Sequence, residues 1–147
     1  MHSLSADFAS GILAAQKAPC LSLYQPTHRH HPSKLQDPIR FQNLVRSLEE
    51  ALSKKGEKRE TDLLLEPFRA LAGDMAFWNH TRDGLAVLGA QGFFRAYVLQ
   101  RPVTERVVVA DSFHTKPLLR ILQSADRYQI LGLTRDRIRL FEGNRDT

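Results

Sequence analysis

The distribution of apolar and polar residues along the chain predicts alternating helices and strands. The clearest element begins at Asp37, which we interpret as a helix N-cap, and Pro38 suits the first helical position. Apolar residues then recur every three or four positions, as on one face of a helix. They are Phe41, Leu44, Val45, Leu48 and Leu52. This spacing predicts an amphipathic helix over residues 37–52.

Shorter elements precede and follow this helix. The polar residues 27–36 favour a surface loop, and the charged residues 54–60 favour a mobile loop. Thr61 is a candidate cap for the next helix, in which Pro67 indicates a kink or a boundary. The further predicted helices are residues 5–17, 61–71 and 116–125, and the predicted strands are residues 20–24, 85–88, 93–99, 106–110, 128–133 and 137–141.

This order of elements predicts an α/β (α+β) fold. We expect a mixed β-sheet of about four strands packed with about four helices, followed by a C-terminal β-hairpin. A two-stranded ribbon alone is only marginally stable. The hairpin is therefore expected to join the main sheet, to pair with another copy, or to begin a domain that continues beyond Thr147.

Composition is that of a folded domain. The 147 residues are 42% hydrophobic and 25% charged, which is far from the profile of disordered chains. Cys20 is the only cysteine, and the N-terminus lacks the pattern of a signal peptide, so we expect a reducing, cytoplasmic location. No apolar run approaches the roughly 20 residues of a spanning helix, so no membrane partner is expected.

Four segments occur in an order and spacing that carry a family resemblance. They are Leu-Ser-Leu-Tyr at residues 21–24 closed by Pro26, the helix over residues 37–52, Asp-Gly-Leu-Ala-Val-Leu-Gly at residues 83–89, and Asp-Ser-Phe-His-Thr at residues 111–115. Together they resemble the N-terminal domain of the archaeo-eukaryotic class one peptide-chain release factors. Tyr-Gln-Pro-Thr-His-Arg at residues 24–29, leading to Gln-Asp-Pro-Ile-Arg at residues 36–40, is similar to the bacterial branch of that superfamily.

The resemblance implies two regions. Residues 1–126 are similar to the release-factor N-terminal α/β domain. Residues 127–147 are similar to the opening hairpin of the middle domain, which we expect to be truncated here. The Gly-Gly-Gln motif that acts in the peptidyl transferase centre belongs to that middle domain, and the chain lacks it. Gly-Ala-Gln-Gly at residues 89–92 lies between two predicted strands and is interpreted as a turn.

The resemblance also locates the codon-reading positions of the family. Its Asn-Ile-Lys-Ser tip falls where this chain has Asp37-Pro38-Ile39-Arg40, and its Tyr and Cys positions fall on Val107 and Val109. We therefore expect no reading of stop codons.

The net charge of +5 favours an acidic partner, and the resemblance indicates RNA or the ribosome. Basic side chains before and at the start of the long helix could meet phosphates there. The candidate RNA- or ribosome-binding residues are Arg29, Lys34, Arg40, His28 and His30.

Other groups of reactive residue types favour structural roles. The histidines at 28, 30 and 31 lack a second ligand cluster, so we expect no metal and no cofactor. Asp111, Ser112 and His114 are adjacent in sequence, which is not the geometry of a triad, and we assign no catalytic residue. Trp78 is interpreted as a core anchor and Cys20 as an inert packing residue.

The sequence thus predicts a non-catalytic ribosome- or RNA-associated domain of a release-factor-like protein, without a DNA partner. The alternative is a self-association module that dimerises or docks through the C-terminal hairpin. A third hypothesis is an enzyme, either a peptidyl-tRNA hydrolase completed by residues beyond Thr147 or a His-dependent nuclease, but the chain has no convincing catalytic constellation.

Overall fold

A computed structural model describes residues 4–30, 32–54 and 58–123. The chain divides into two compact units, Met1–Phe113 and His114–Thr147. In the second unit, residues 116–123 are helical, as predicted. The C-terminal hairpin and the boundary expected after residue 126 lie outside the described residues and stay predictions.

Among its described residues, the first unit contains four helices, a short 3-10 helix and four strands. In chain order they are α1 (Leu4–Ser10), β1 (Cys20–Pro26), the 3-10 helix Ser33–Gln36, α2 (Asp37–Ser53), α3 (Lys58–Ala72), α4 (Met75–Trp78), β2 (Gly84–Ala90), β3 (Phe93–Leu99) and β4 (Arg106–Ala110). Within residues 4–30, 32–54 and 58–123, no helix is long and apolar enough to cross a membrane.

The four strands form one sheet in the order β3-β2-β1-β4. The predicted α/β class and the expected number of strands are confirmed. Every neighbouring pair is antiparallel, however, where a mixed sheet was expected. Only residues 100–105 join β3 to β4. A crossover connection between parallel strands needs a dozen or more residues, so this short loop allows β4 to run only antiparallel to β3.

One face of the sheet packs against α2 and α3. Leu21 and Leu23 of β1 and Leu85 and Val87 of β2 point to this face and are fully buried. They meet the apolar stripe of α2, which is the stripe predicted from the sequence. This helix-on-sheet layer is the main hydrophobic core.

The opposite face of the sheet carries a polar anchor for α1. The Tyr97 hydroxyl of β3 donates a hydrogen bond to the Asp7 carboxylate of α1. The Arg95 side chain lies 3.3 Å from the same carboxylate and stacks over the Phe93 ring. Burial, and next the bond to Asp7, raise the pKa of Tyr97, so it stays a neutral donor.

The helix starts differ from those expected. Asp37 is the first residue of α2 and not its N-cap, because the 3-10 helix precedes it and leaves the backbone of Gln36 already helical. Helix α3 begins at Lys58, inside the segment expected to be a loop, and continues through Pro67. Thr61, the expected cap, is a buried residue within α3.

The turn expected between the strands that are now β2 and β3 is confirmed, although Gly89 and Ala90 belong to β2. Ala90 pairs with Phe93, so Gln91 and Gly92 form the turn, and Gly92 has a φ of +71°. Near this turn, β2 approaches α3 closely. A Cβ atom at Gly89 would lie 2.5 Å from the ring of Phe68, which shows that only glycine fits there without movement of the ring.

We predict that Gly89→Ala destabilises the domain by about 1–3 kcal/mol, because it overpacks the contact between β2 and Phe68. Urea denaturation monitored by circular dichroism measures this loss. Gly73→Ala is the matched control, since a Cβ there meets nothing closer than 3.9 Å. Equal stability of the two variants would contradict the close packing at Gly89.

Candidate nucleic-acid interface

The register of the sheet brings three loops to one end of the strands. Pro26, at the end of β1, pairs with Gly84 at the start of β2, and Gly84 also pairs with Leu99 at the end of β3. The connections that leave this end are residues 27–36, 79–83 and 100–105. We call residues 27–40, 79–83 and 100–106 the basic end of the domain.

The basic end is organised around a buried carboxylate. The Asp37 side chain is 1% exposed. Its two oxygens accept hydrogen bonds from the His28 backbone N–H and the His28 Nδ1, each at 2.8 Å. The backbone carbonyl of Asp37 accepts a third bond from Gln25 Nε2 at 3.1 Å. Asp37 therefore joins the end of β1 to the start of α2, and His28 serves as its partner.

Lys34 is buried and acts as a cross-link between two loops. Its side-chain nitrogen donates to the carbonyl of His28 at 3.3 Å, and to the carbonyl and hydroxyl of Thr81 at 3.2 and 3.0 Å. An ammonium group has three protons, so these acceptors use its full donor capacity. The expected phosphate contact by Lys34 is therefore corrected to a structural role. A lysine saturated by buried acceptors has no donor left for a ligand.

Arg29 lies at the surface in a bidentate pair with Asp83. Its Nε and Nη2 atoms each donate to a different Asp83 oxygen at 2.9 Å. This hydrogen bonding lowers the pKa of Asp83 and raises that of Arg29, so both groups are charged at neutral pH. The Arg29 side chain is 40% exposed, and its remaining N–H groups are directed outside the pair.

Arg40, on the first turn of α2, forms an ion pair with Glu105 in the loop before β4. The Arg40 side chain is 43% exposed, so the pair lies in solvent and contributes little to stability. It nevertheless holds the guanidinium beside the loop that precedes β4. His30, the fifth candidate, is exposed at the turn before the 3-10 helix, and its carbonyl accepts from the Lys34 N–H.

The register adds three arginines that sequence reasoning did not select. Arg82 precedes Asp83, Arg101 follows β3, and Arg106 begins β4, and all three are exposed. With them, the basic end has six Lys and Arg residues against three Asp and Glu residues, which leaves a charge of +3. They were missed because they lie far from residue 29 in the sequence and approach it only through strand pairing.

Other sequence candidates occupy structural positions. Trp78 is 2% exposed, packs against Phe41 with ring centroids 5.3 Å apart, and donates from Nε1 to the Leu71 carbonyl. Its predicted role as a core anchor is confirmed. Cys20 is 1% exposed, and burial, followed by the nearby Asp111 charge, raises the pKa of its thiol, which agrees with an inert packing role.

His28 and its buried carboxylate have the geometry of the orienting half of a general-base pair. In the described part of the chain, however, no hydroxyl or thiol is hydrogen-bonded to the imidazole. Within residues 4–30, 32–54 and 58–123, no group of three or more His, Cys, Asp or Glu side chains is placed to hold a metal. The His28 pair is thus explained by the support that it gives to the loop.

Comparison with known proteins finds no match to this chain, either among protein-family models or among curated proteins.

We predict that Lys34→Met lowers the free energy of unfolding by about 1–3 kcal/mol, because it removes the donor to the buried carbonyl of Thr81 and to the part-buried carbonyl of His28. Arg40→Met, which breaks only a solvent-exposed pair, should cost less than about 1 kcal/mol. Thermal and urea denaturation of both variants measure the difference. Equal small losses would contradict the cross-linking role of Lys34.

Proposed function

We propose that this chain is a non-catalytic module of a bacterial release-factor-like protein that contacts ribosomal RNA through the basic end. The observation that carries the proposal is the net charge of +3 that the sheet register gathers at the basic end. A cluster of this sign attracts phosphates and is the electrostatic footprint of nucleic-acid contact. The proposal implies a cytoplasmic location, where ribosomes are found.

The way in which the arginines are held supports this proposal. Arg29 and Arg40 are each anchored by one carboxylate, yet about two-fifths of each side chain is exposed. An anchored guanidinium loses less conformational entropy on binding than a free one, and it retains N–H donors for a phosphate. The contact set in this proposal is therefore arginine-based: Arg29, Arg40, Arg82, Arg101 and Arg106, without Lys34.

The geometry favours RNA over duplex DNA. Four of the five arginines lie on loops or at a strand end. Helix α2 begins at the basic end with Arg40 on its first turn, but its apolar stripe packs on the sheet, so it is not free to enter a major groove. Loops suit the irregular backbone of folded RNA, which proteins recognise largely by shape and by phosphate and ribose contacts. The alternative, self-association through the C-terminal hairpin, involves residues outside those described and stays a prediction.

We predict that the chain co-sediments with bacterial ribosomes at low salt, and that Arg82→Ala/Arg101→Ala/Arg106→Ala weakens this association strongly. Loss of three phosphate contacts should also make the negative slope of log K against log salt shallower by about 2 to 3. Arg46→Ala/Lys54→Ala/Arg59→Ala removes the same charge from exposed positions on or beside helices, outside the basic end, and is the matched control.

Three outcomes decide the question. Salt-sensitive pelleting that only the first triple variant loses supports contact through the basic end. Equal loss of pelleting in both triple variants would show that the association depends only on the net charge of the chain, and would contradict a specific site. No pelleting of the wild type at low salt, or assembly that depends on protein concentration and not on ribosomes, would favour the self-association hypothesis instead.

A further inference from the structure

A groove lies at the opposite end of the sheet, where β1 and β3 begin and β2 and β4 end. Its larger part is a cavity of about 580 Å³ between the first half of α3, Pro19 and the β2–β3 turn. A second cavity of about 280 Å³ continues toward the end of β4. Both are lined by Pro19, Glu60 and Leu64, so they form one continuous groove. A volume of this size is in the range of sites that bind small ligands or short peptide segments.

The wall of the groove is apolar. Leu64, Pro67 and Phe94 are half-buried along it, and Leu63 is 65% exposed at its edge. Phe94 is fixed by an edge-on contact with Phe68, with ring centroids 5.1 Å apart. An apolar side chain of a ligand could therefore lie against a wall that is already in place.

The rim of the groove is acidic although the chain is basic. Glu60 and Glu66 on α3 and Asp111 after β4 are exposed and line the two cavities, and none of the described lining residues is Lys or Arg. In the described part of the chain, these three carboxylates have no ion-pair partner. Three carboxylates around an apolar wall, none of them in an ion pair with another described residue, favour a ligand that carries positive charges beside an apolar anchor.

We propose that this groove binds a short peptide segment in which one or two large apolar side chains are flanked by Lys or Arg. The apolar side chain packs against Leu63, Leu64 and Phe94, and the flanking cations meet Glu60 and Glu66. This site lies at the end of the sheet opposite to the basic end and does not depend on the proposed RNA contact. The domain would then bind nucleic acid at one end and a basic protein segment at the other.

The test is fluorescence anisotropy with the labelled peptide KRLFKR at low salt. We expect saturable binding to the wild-type chain and at least about tenfold weaker binding to Glu60→Gln/Glu66→Gln, which removes two charges without changing side-chain size. The control Glu49→Gln/Glu50→Gln removes the same charge from α2, outside the groove. It should change the affinity by less than about twofold.

The apolar contact has its own matched pair of variants. Leu63→Ala should weaken binding of KRLFKR by about three- to tenfold, since it removes an exposed leucine that lines the groove. Leu35→Ala removes a similarly exposed leucine from the basic end and should leave the affinity unchanged. Neither change should unfold the chain, because both side chains are more than half exposed.

Several results would overturn the proposal. If KRLFKR does not bind detectably, or if the charge-reversed peptide EDLFED binds equally well, the acidic rim does not select a basic peptide. An unchanged affinity of Glu60→Gln/Glu66→Gln would place the peptide elsewhere on the chain. If the protein alone dimerises and this variant abolishes the dimer, the occupant of the groove is a second copy, and the assignment to a peptide is wrong.

Discussion

The buried Asp37 carboxylate is the interaction on which the arrangement of the basic end depends. It accepts two hydrogen bonds from His28, while its own carbonyl accepts one from Gln25, so the end of β1 is tied to the start of α2. A buried carboxylate is costly unless its oxygens are hydrogen-bonded, and these bonds fix the path of the loop between the two elements. Lys34 on that loop can then reach Thr81 and hold the neighbouring loop against it.

The antiparallel sheet places different loops at its two ends, so the two ends of the domain differ chemically. Three loops with a net positive charge gather at one end, and the acidic rim of Glu60, Glu66 and Asp111 lies at the other. Strands of up to seven residues separate the two ends by about 20 Å, which is longer than the screening length at physiological salt, so the charges at one end have little effect on the other. This polarity is the basis of both proposals.

The sequence predicted the elements whose signals are local. The stripe of α2, the buried strand β1 and the turn at Gly92 all follow from spacing and residue type, and the structure confirms them. The predicted start of α2 was wrong because aspartate is a common N-cap residue, whereas Asp37 is already inside the helix. The predicted start of α3 was wrong because charged residues such as those at 58–60 occur in loops but also have a high helix propensity. The burial of Lys34 could not be predicted, because its acceptor Thr81 lies 47 residues away. The groove could not be predicted for the same reason, because residues 18–19, 60–67 and 90–94, which line it, are far apart in the sequence.

The most direct test of whether the two ends bind different partners is an NMR titration of the isotopically labelled chain with a ribosomal RNA hairpin at low salt. If the basic end binds RNA, the amide signals of loops 27–36, 79–83 and 100–105 should shift in a salt-dependent way. The signals of residues 60–67 and 90–94, around the groove, should stay in place. If the largest shifts occur around the groove, or if small uniform shifts cover the whole surface, the basic end is not a specific RNA-binding site.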